Sequence, residues 1–154
     1  MDLIRDFGAL IDTFHRNGVE YAVCGGIAVT IYGYVRTTKD IDLLIRREDA
    51  DRAVQLAAPI GFLDDSGSLS FESGTQRERT VRRVVKIDGR DVLILDLLLV
   101  SPILEPAWQS RTQVEWEGRL VSIVSRDGLA LMKTLAGRDQ DLTDLRQLGI
   151  RPNG

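Results

Sequence analysis

A small mixed α/β (α+β) fold, one mixed β-sheet with flanking helices, is what the order of elements along the chain predicts. Three observations carry this expectation. Leu3, Ile4, Phe7, Leu10, Ile11 and Phe14 recur at three- and four-residue spacing, the apolar face of an amphipathic helix. Short apolar runs then alternate with helix-like runs as far as Ala58. Beyond that, Asp88-Gly89 and Glu117-Gly118 each join two strand-like runs, which reads as antiparallel hairpins.

The elements follow in order. Asp2 can cap the first helix and Gly18 can end it. Glu20 to Cys24 reads as a short buried strand, broken by Gly25-Gly26, and Ile27 to Tyr32 as a short helix running to Gly33. Asp40 to Arg46 is a second strand, and Glu48 to Ala58 a helix stopped by Pro59 and Gly61. Asp64 to Gln76, rich in Ser, Gly and Asp, is expected to be a mobile loop. Thr80 to Ile87 and Asp91 to Val100 form one hairpin, Gln113 to Trp116 and Arg119 to Val124 another. Ser125 caps a helix that ends at Gly137, and a last helix runs from about Asp139 to Leu148.

The chain has 154 residues, 44% hydrophobic and 28% charged, with a net charge of −3. These values suit one domain over residues 1–154. They exclude a protein that holds nucleic acid by bulk positive charge. A single cysteine, Cys24, rules out an intrachain disulfide and points to a reducing, cytoplasmic setting. The N-terminus lacks the apolar centre of a signal peptide. The longest near-apolar run, Val92 to Val100, falls well short of the roughly 20 residues of a membrane helix. With one His and one Cys, any metal must be a hard cation held by carboxylates.

The carboxylates are therefore the candidate chemistry. Asp96 interrupts an otherwise aliphatic strand, where an isolated ionised carboxylate is strongly unfavourable. A basic partner such as Arg83, a hydrogen-bond network, a raised pKa or a metal must offset it. Asp40 and Asp42 lie two apart on a predicted strand and so share a face. Their repulsion can be resolved by a divalent cation, or by pairing with Arg36 or Lys39. Gly25-Gly26, at a strand–helix turn, permits close backbone approach to a phosphate.

Taken together, Val23-Cys-Gly-Gly-Ile-Ala-Val, Gly33, Arg36-Thr-Thr38 and Asp40-Ile-Asp42 resemble the DNA-polymerase-β-like nucleotidyltransferase superfamily. More narrowly, they resemble its small bacterial branch, which includes the AbiEii-like toxins of type IV toxin–antitoxin systems. Lys133, Ala136-Gly137-Arg138 and Asp141-Leu-Thr-Asp144 resemble that branch's terminal element.

The resemblance implies the nucleotidyltransferase fold. It also implies magnesium-dependent transfer of a nucleoside monophosphate from an NTP to a hydroxyl. Asp40, Asp42 and Asp96 would hold two magnesium ions, with manganese as a substitute, and Asp96 would activate the acceptor. Lys133 would join them as a catalytic residue. Gly25, Gly26, Arg36, Thr38 and Arg138 would bind the nucleotide, with Asp141 and Asp144 supporting. The acceptor would be an RNA end such as a tRNA, a protein or a small molecule. An antitoxin, a helical partner protein or a second copy in a homodimer would be the protein partners, and no membrane is involved.

Two departures stand out. Ile27 occupies the place where many active members carry a phosphate-gripping Ser, and no further helical domain follows the last helix. They motivate an alternative, an inactive nucleotidyltransferase-fold binding module. Arg77, Arg79, Arg82, Arg83, Lys86 and Arg90 make a local basic segment, either a path for an RNA backbone or a solvated edge strand. Trp108, Trp116 and Tyr34 are expected to be packing residues, and His15 to be exposed and idle.

Overall fold

The structure, a computed structural model, describes residues 2–150. Helix α1 (Leu3–Arg16) begins where the Asp2 side chain accepts the Arg5 N–H at 3.1 Å, and it buries Phe7, Leu10, Ile11 and Phe14. Next come β1 (Ala22–Cys24), α2 (Gly25–Ile31), β2 (Asp40–Ile45) and α3 (Ala50–Ala57). Strands β3 (Phe62–Phe71), β4 (Arg79–Asp88) and β5 (Asp91–Leu99) form a meander. A short helix α4 (Glu105–Gln109) leads to the hairpin β6 (Thr112–Trp116) and β7 (Arg119–Ile123). Helices α5 (Arg126–Ala136) and α6 (Asp139–Gln147) follow. Ser125 caps α5 by accepting the Gly128 N–H at 3.0 Å, and Gly137, at φ +64°, ends it in the left-handed conformation.

All seven strands form one mixed sheet in the order β3-β4-β5-β2-β1-β7-β6. The pairs β2/β5 and β1/β7 are parallel and the others antiparallel. The most aliphatic strands, β2 and β5, lie side by side near the centre, where Leu43, Leu44, Ile45, Leu95 and Leu97 are fully buried. Burial at the centre of the sheet removes the pressure for polar alternation, which is why these strands read as nearly continuous apolar runs.

Two segments depart from the sequence expectation. The stretch predicted to be a mobile loop from Asp64 to Gln76 instead contains most of β3, a ten-residue strand on the sheet edge. Only Phe62 of this strand is buried, so the other positions need no apolar alternation and its Ser, Gly and Asp content mimics a loop. Register shifts against β4 between Phe62 and Asp64 and between Asp65 and Gly67 further break its pattern. The segment before β6 carries α4, which sinks Trp108 into the core at 1% exposure. Trp116 and Tyr34 are half-buried and pack against the core, as expected. His15 is exposed but not idle, since its Nε2 lies 3.0 Å from the Tyr21 hydroxyl. Among the described residues no helix is long and apolar enough to cross a membrane.

Leu44→Ala should therefore lower the unfolding free energy by about 2–5 kcal/mol through the cavity it leaves. Leu69→Ala on β3, where the side chain is 62% exposed, should stay within about 0.5 kcal/mol of wild type. Urea denaturation of the two variants checks the placement of both strands.

Candidate active site

The candidate acids come together along one transverse row of the sheet. In β2/β5 the residue opposite Asp42 is Asp96, in β4/β5 the residue opposite Asp96 is Arg83, and in β1/β2 the residue opposite Asp42 is Cys24. Directly opposed residues point to the same side of a sheet on backbones about 4.8 Å apart. Asp40, two residues before Asp42, shares that face. Four strands thus present Arg83, Asp96, Asp42 and Cys24 as a line.

The charges in this line are unevenly compensated. Asp96 is held at both oxygens by Arg83, with Nε donating to Oδ1 at 2.8 Å and Nη2 to Oδ2 at 2.9 Å. Among the described residues, neither Asp40 nor Asp42 has a hydrogen-bond or ion-pair partner. Asp42 keeps some surface on a cleft, yet its pKa is pushed up to about 7, by burial first and then by the charges of Asp96 and Asp40. Burial and the Asp96 charge also raise Asp40, against the pull of Arg83, Arg138 and Lys39. Burial and the Asp42 charge raise the Cys24 thiol well above its usual value, so it stays a neutral packing group.

The glycine turn fits tightly on these acids. Gly25, at φ +64°, begins α2 directly after β1, and a Cβ there would lie 2.1 Å from Asp42 Oδ2. Backbone conformation and the carboxylate both demand glycine at this point. A Cβ on Gly26 would lie 2.6 Å from Thr38 Oγ1, a buried hydroxyl without a hydrogen-bond partner.

The terminal residues form a second charge cluster. Asp141 and Asp144 on α6 are 1% and 0% exposed. The Lys133 ammonium sits between them, 3.2 Å from Asp141 and 3.0 Å from Asp144. Arg36 pairs with Asp144 at 2.9 Å, not with Asp40 or Asp42, and Arg138 pairs with Asp141 at 2.8 Å. Gln140 donates to Asp144 at 2.7 Å. Burial pushes Asp141 up, but the Arg138 hydrogen bond and the charges of Lys133 and Arg138 outweigh it and leave its pKa below the ordinary value. Lys133 is thus a buried ion-paired lysine rather than a solvated one, and it reaches Asp42 only by its field.

A cleft of about 360 Å³ opens beside the row, lined by Asp42, Asp96, Arg83 and Arg138 and by the apolar side chains of Phe71, Val81, Leu98 and Met132. Phe71 is not legible in the sequence as a cleft residue, because it comes from β3, which reads there as a loop, whereas Arg79 belongs to the basic segment that the sequence does single out. The basic segment is largely neutralised. Arg77 and Arg79 pair with Glu72, Arg82 with Asp51 and Asp65, and Lys86 with Asp6.

No family model matches the sequence, and no curated protein matches it. Solved structures do. A proposed nucleotidyltransferase from Thermotoga maritima aligns over 94% of this chain and 90% of its own, with a TM-score of 0.61 at 16% identity. The antibiotic-resistance factor ANT(2'')-Ia, in complex with adenylyl-2''-tobramycin, aligns over 92% of this chain and 84% of its own, with a TM-score of 0.61 at 13% identity. A proposed nucleotidyltransferase from H. pylori aligns over 94% of this chain and 65% of its own, with a TM-score of 0.56 at 19% identity.

The chain has the nucleotidyltransferase fold. In that fold the donor set Asp40, Asp42 and Asp96 has the hard-oxygen chemistry that magnesium takes. Asp40 and Asp42 fit such an ion, since both are uncompensated and burial holds their charges together. Asp96 fits only if Arg83 lets go. As the side chains stand, no group of three His, Cys, Asp or Glu among the described residues could hold a metal ion.

Two outcomes follow for this nucleotidyltransferase fold. Asp144→Ala leaves Arg36 and Lys133 short of a buried partner and should cost about 3–5 kcal/mol of stability, read by urea unfolding. For Asp42 the pKa is about 7 folded against about 3.9 unfolded. The folded state therefore binds more protons between those values, and stability falls as pH rises through the interval. Without metal, Asp42→Asn should raise the melting temperature most above neutral pH and lose the gain near pH 4, as scanning calorimetry across pH would show.

Proposed function

We propose that the protein is a divalent-cation-dependent nucleotidyltransferase that moves a nucleoside monophosphate from an NTP to an acceptor hydroxyl. The observation that carries this reading is the register of Asp42 with Asp96, with Asp40 on the same face and Gly25 packed on the Asp42 carboxylate. A row of acids without enough cations is costly to fold. It is useful where a metal and a triphosphate supply the balance.

In the reaction the acceptor oxygen bonds to the α-phosphorus, the bond to the pyrophosphate oxygen breaks, and the hydroxyl proton leaves to a base. Asp40, Asp42 and Asp96 would hold magnesium, which supplies charge neutralisation for the attacking and leaving oxygens. Asp96 lines the cleft together with Val81 and Leu98 and would take the acceptor's proton. Gly25 and Gly26 let the chain approach the phosphates closely. The Thr38 hydroxyl beside Gly26 has no partner and is free to donate to a phosphate oxygen. Arg138, with its side chain 75% exposed at the cleft, can reach the same anion. Arg36 and Lys133 are engaged by Asp144 and Asp141, so they would position the acid loop and act by field rather than by contact.

The acceptor would be a small molecule with apolar surface. The apolar cleft supports this, as does the likeness to a factor solved with an adenylylated antibiotic. The neutralised basic strand gives little support to an RNA acceptor. A toxin role with an antitoxin partner rests on the family resemblance alone. A second reading, an inactive binding module, is favoured by the Arg83 clamp on Asp96.

Incubation with magnesium and each α-labelled NTP, with aminoglycosides, cell RNA and lysate protein as acceptors, tests both readings. Labelled acceptor should form with the wild type, and Asp40→Ala and Asp42→Ala should reduce transfer by at least about 100-fold. Nucleotide binding with no transfer to any acceptor would favour the inactive module.

A further inference from the structure

We infer that Arg83 is a latch on Asp96, holding the third acid closed until a nucleotide phosphate draws the guanidinium away and a divalent cation takes its place. This rests on the reading of the acid row as a metal site. Arg83 stands directly across from Asp96 in β4/β5, and its two nitrogens engage both carboxylate oxygens at 2.8 and 2.9 Å. A planar guanidinium saturates a carboxylate in this fork geometry, leaving a metal ion no free oxygen of comparable quality. A cation arriving at Asp96 therefore competes with Arg83 for the same atoms.

The two partners are unequal. The Arg83 side chain is 48% exposed, whereas that of Asp96 is 11% exposed. Arg83 can swing into water at little desolvation cost. Asp96 cannot, and without a cation it would join Asp42 and Asp40 as a third uncompensated charge. The latch opens only if something replaces Arg83 at Asp96 and something receives Arg83.

The cleft provides for both. Arg83 and Asp96 line the same cavity as Asp42 and Arg138, so a phosphate bound in that cavity faces two guanidinium groups, those of Arg83 and Arg138. Guanidinium and phosphate pair in the same bidentate manner as guanidinium and carboxylate. Phosphate and cation thus exchange partners with the Arg83–Asp96 pair, and each helps the other to bind. The coupling is reciprocal, as linkage requires. Metal alone meets a closed third acid, and nucleotide alone leaves Asp96 without a counter-ion.

The test is Mn2+ binding, followed by electron paramagnetic resonance and calorimetry, with and without a non-hydrolysable α,β-methylene NTP. Wild type should bind Mn2+ weakly alone and about tenfold or more tightly with the analogue, the size of an ordinary coupling. Arg83→Gln should bind Mn2+ tightly without nucleotide and lose most of that coupling. Arg83→Lys, which keeps the charge but not the fork, should fall between and covers the case in which the Gln variant folds poorly. Asp96→Asn, which removes the contested charge and one of the two oxygens, should show no gain from Arg83→Gln.

If wild type binds Mn2+ and Arg83→Gln binds it no more tightly in the absence of nucleotide, the latch is wrong while the metal site stands. If no form binds Mn2+ with or without the analogue, the metal-site reading falls and the latch falls with it.

Discussion

Everything in the site depends on the repulsion between Asp42 and its neighbours in a sheet that cannot move them apart. Asp42 and Asp96 are opposite residues of a parallel pair, so strand spacing fixes their backbones whatever their charges prefer. Asp40 is bound to the same face by strand periodicity. Cys24 and Gly25 close the other side, and glycine at position 25 brings the backbone against the carboxylate itself. Held at strand spacing and partly buried, the acids lower their energy by taking up a proton or a cation. The rise of Asp42 to about 7 is the protein's own answer when neither metal nor substrate is at hand.

Comparison of the two acid clusters shows that this deficit is local. Asp141 and Asp144 are more deeply buried than Asp42 by exposure, yet each has cations within hydrogen-bond reach, from Lys133, Arg36 and Arg138. The Asp141 pKa is lowered, whereas those of Asp40 and Asp42 are raised. Burial opposes ionisation in both places, so supply of counter-charge decides the sign. The α6 cluster is a closed structural unit that pins the loop bearing Arg36 and Thr38 to the end of the chain.

Much of this was legible in the sequence. An Asp-x-Asp pair before a run of aliphatics, and a lone Asp inside an aliphatic strand, can be read as acids on central strands because burial leaves a composition signature. The helix caps at Asp2 and Ser125 and the stop at Gly137 follow from local hydrogen bonding and were equally visible. Strand β3 was not, because an exposed edge strand is under no pressure to alternate and can carry Ser, Gly and Asp like any loop. Nor could sequence choose a partner for Arg36, whose ion pair with Asp144 spans 108 positions and depends on how α6 docks. The Arg83–Asp96 pair was one of four open alternatives. Its choice required the β4/β5 register, set by a turn at Gly89-Arg90, one residue beyond the Asp88-Gly89 turn read from the sequence, and a single-residue slip would turn Arg83 to the other face.

The same register explains why the molecule's slight negative charge matters more than its size suggests. A net −3 spread over the surface would have no consequence for function. Here Arg77, Arg79, Arg82 and Lys86 are matched by Glu72, Asp51, Asp65 and Asp6, and the α6 acids by their own cations. Those charges cancel in pairs, whereas Asp40 and Asp42 keep theirs unpaired on the sheet face, Asp42 beside a cleft lined in part by apolar side chains. Low-dielectric walls strengthen the field at that one point. A multivalent cation with a phosphate chain relieves it better than any monovalent ion, because it neutralises two carboxylates while offering Arg83 and Arg138 an anion in return. On the proposed function, preference for a metal–nucleotide pair over either component alone would follow from how the counter-charges are distributed.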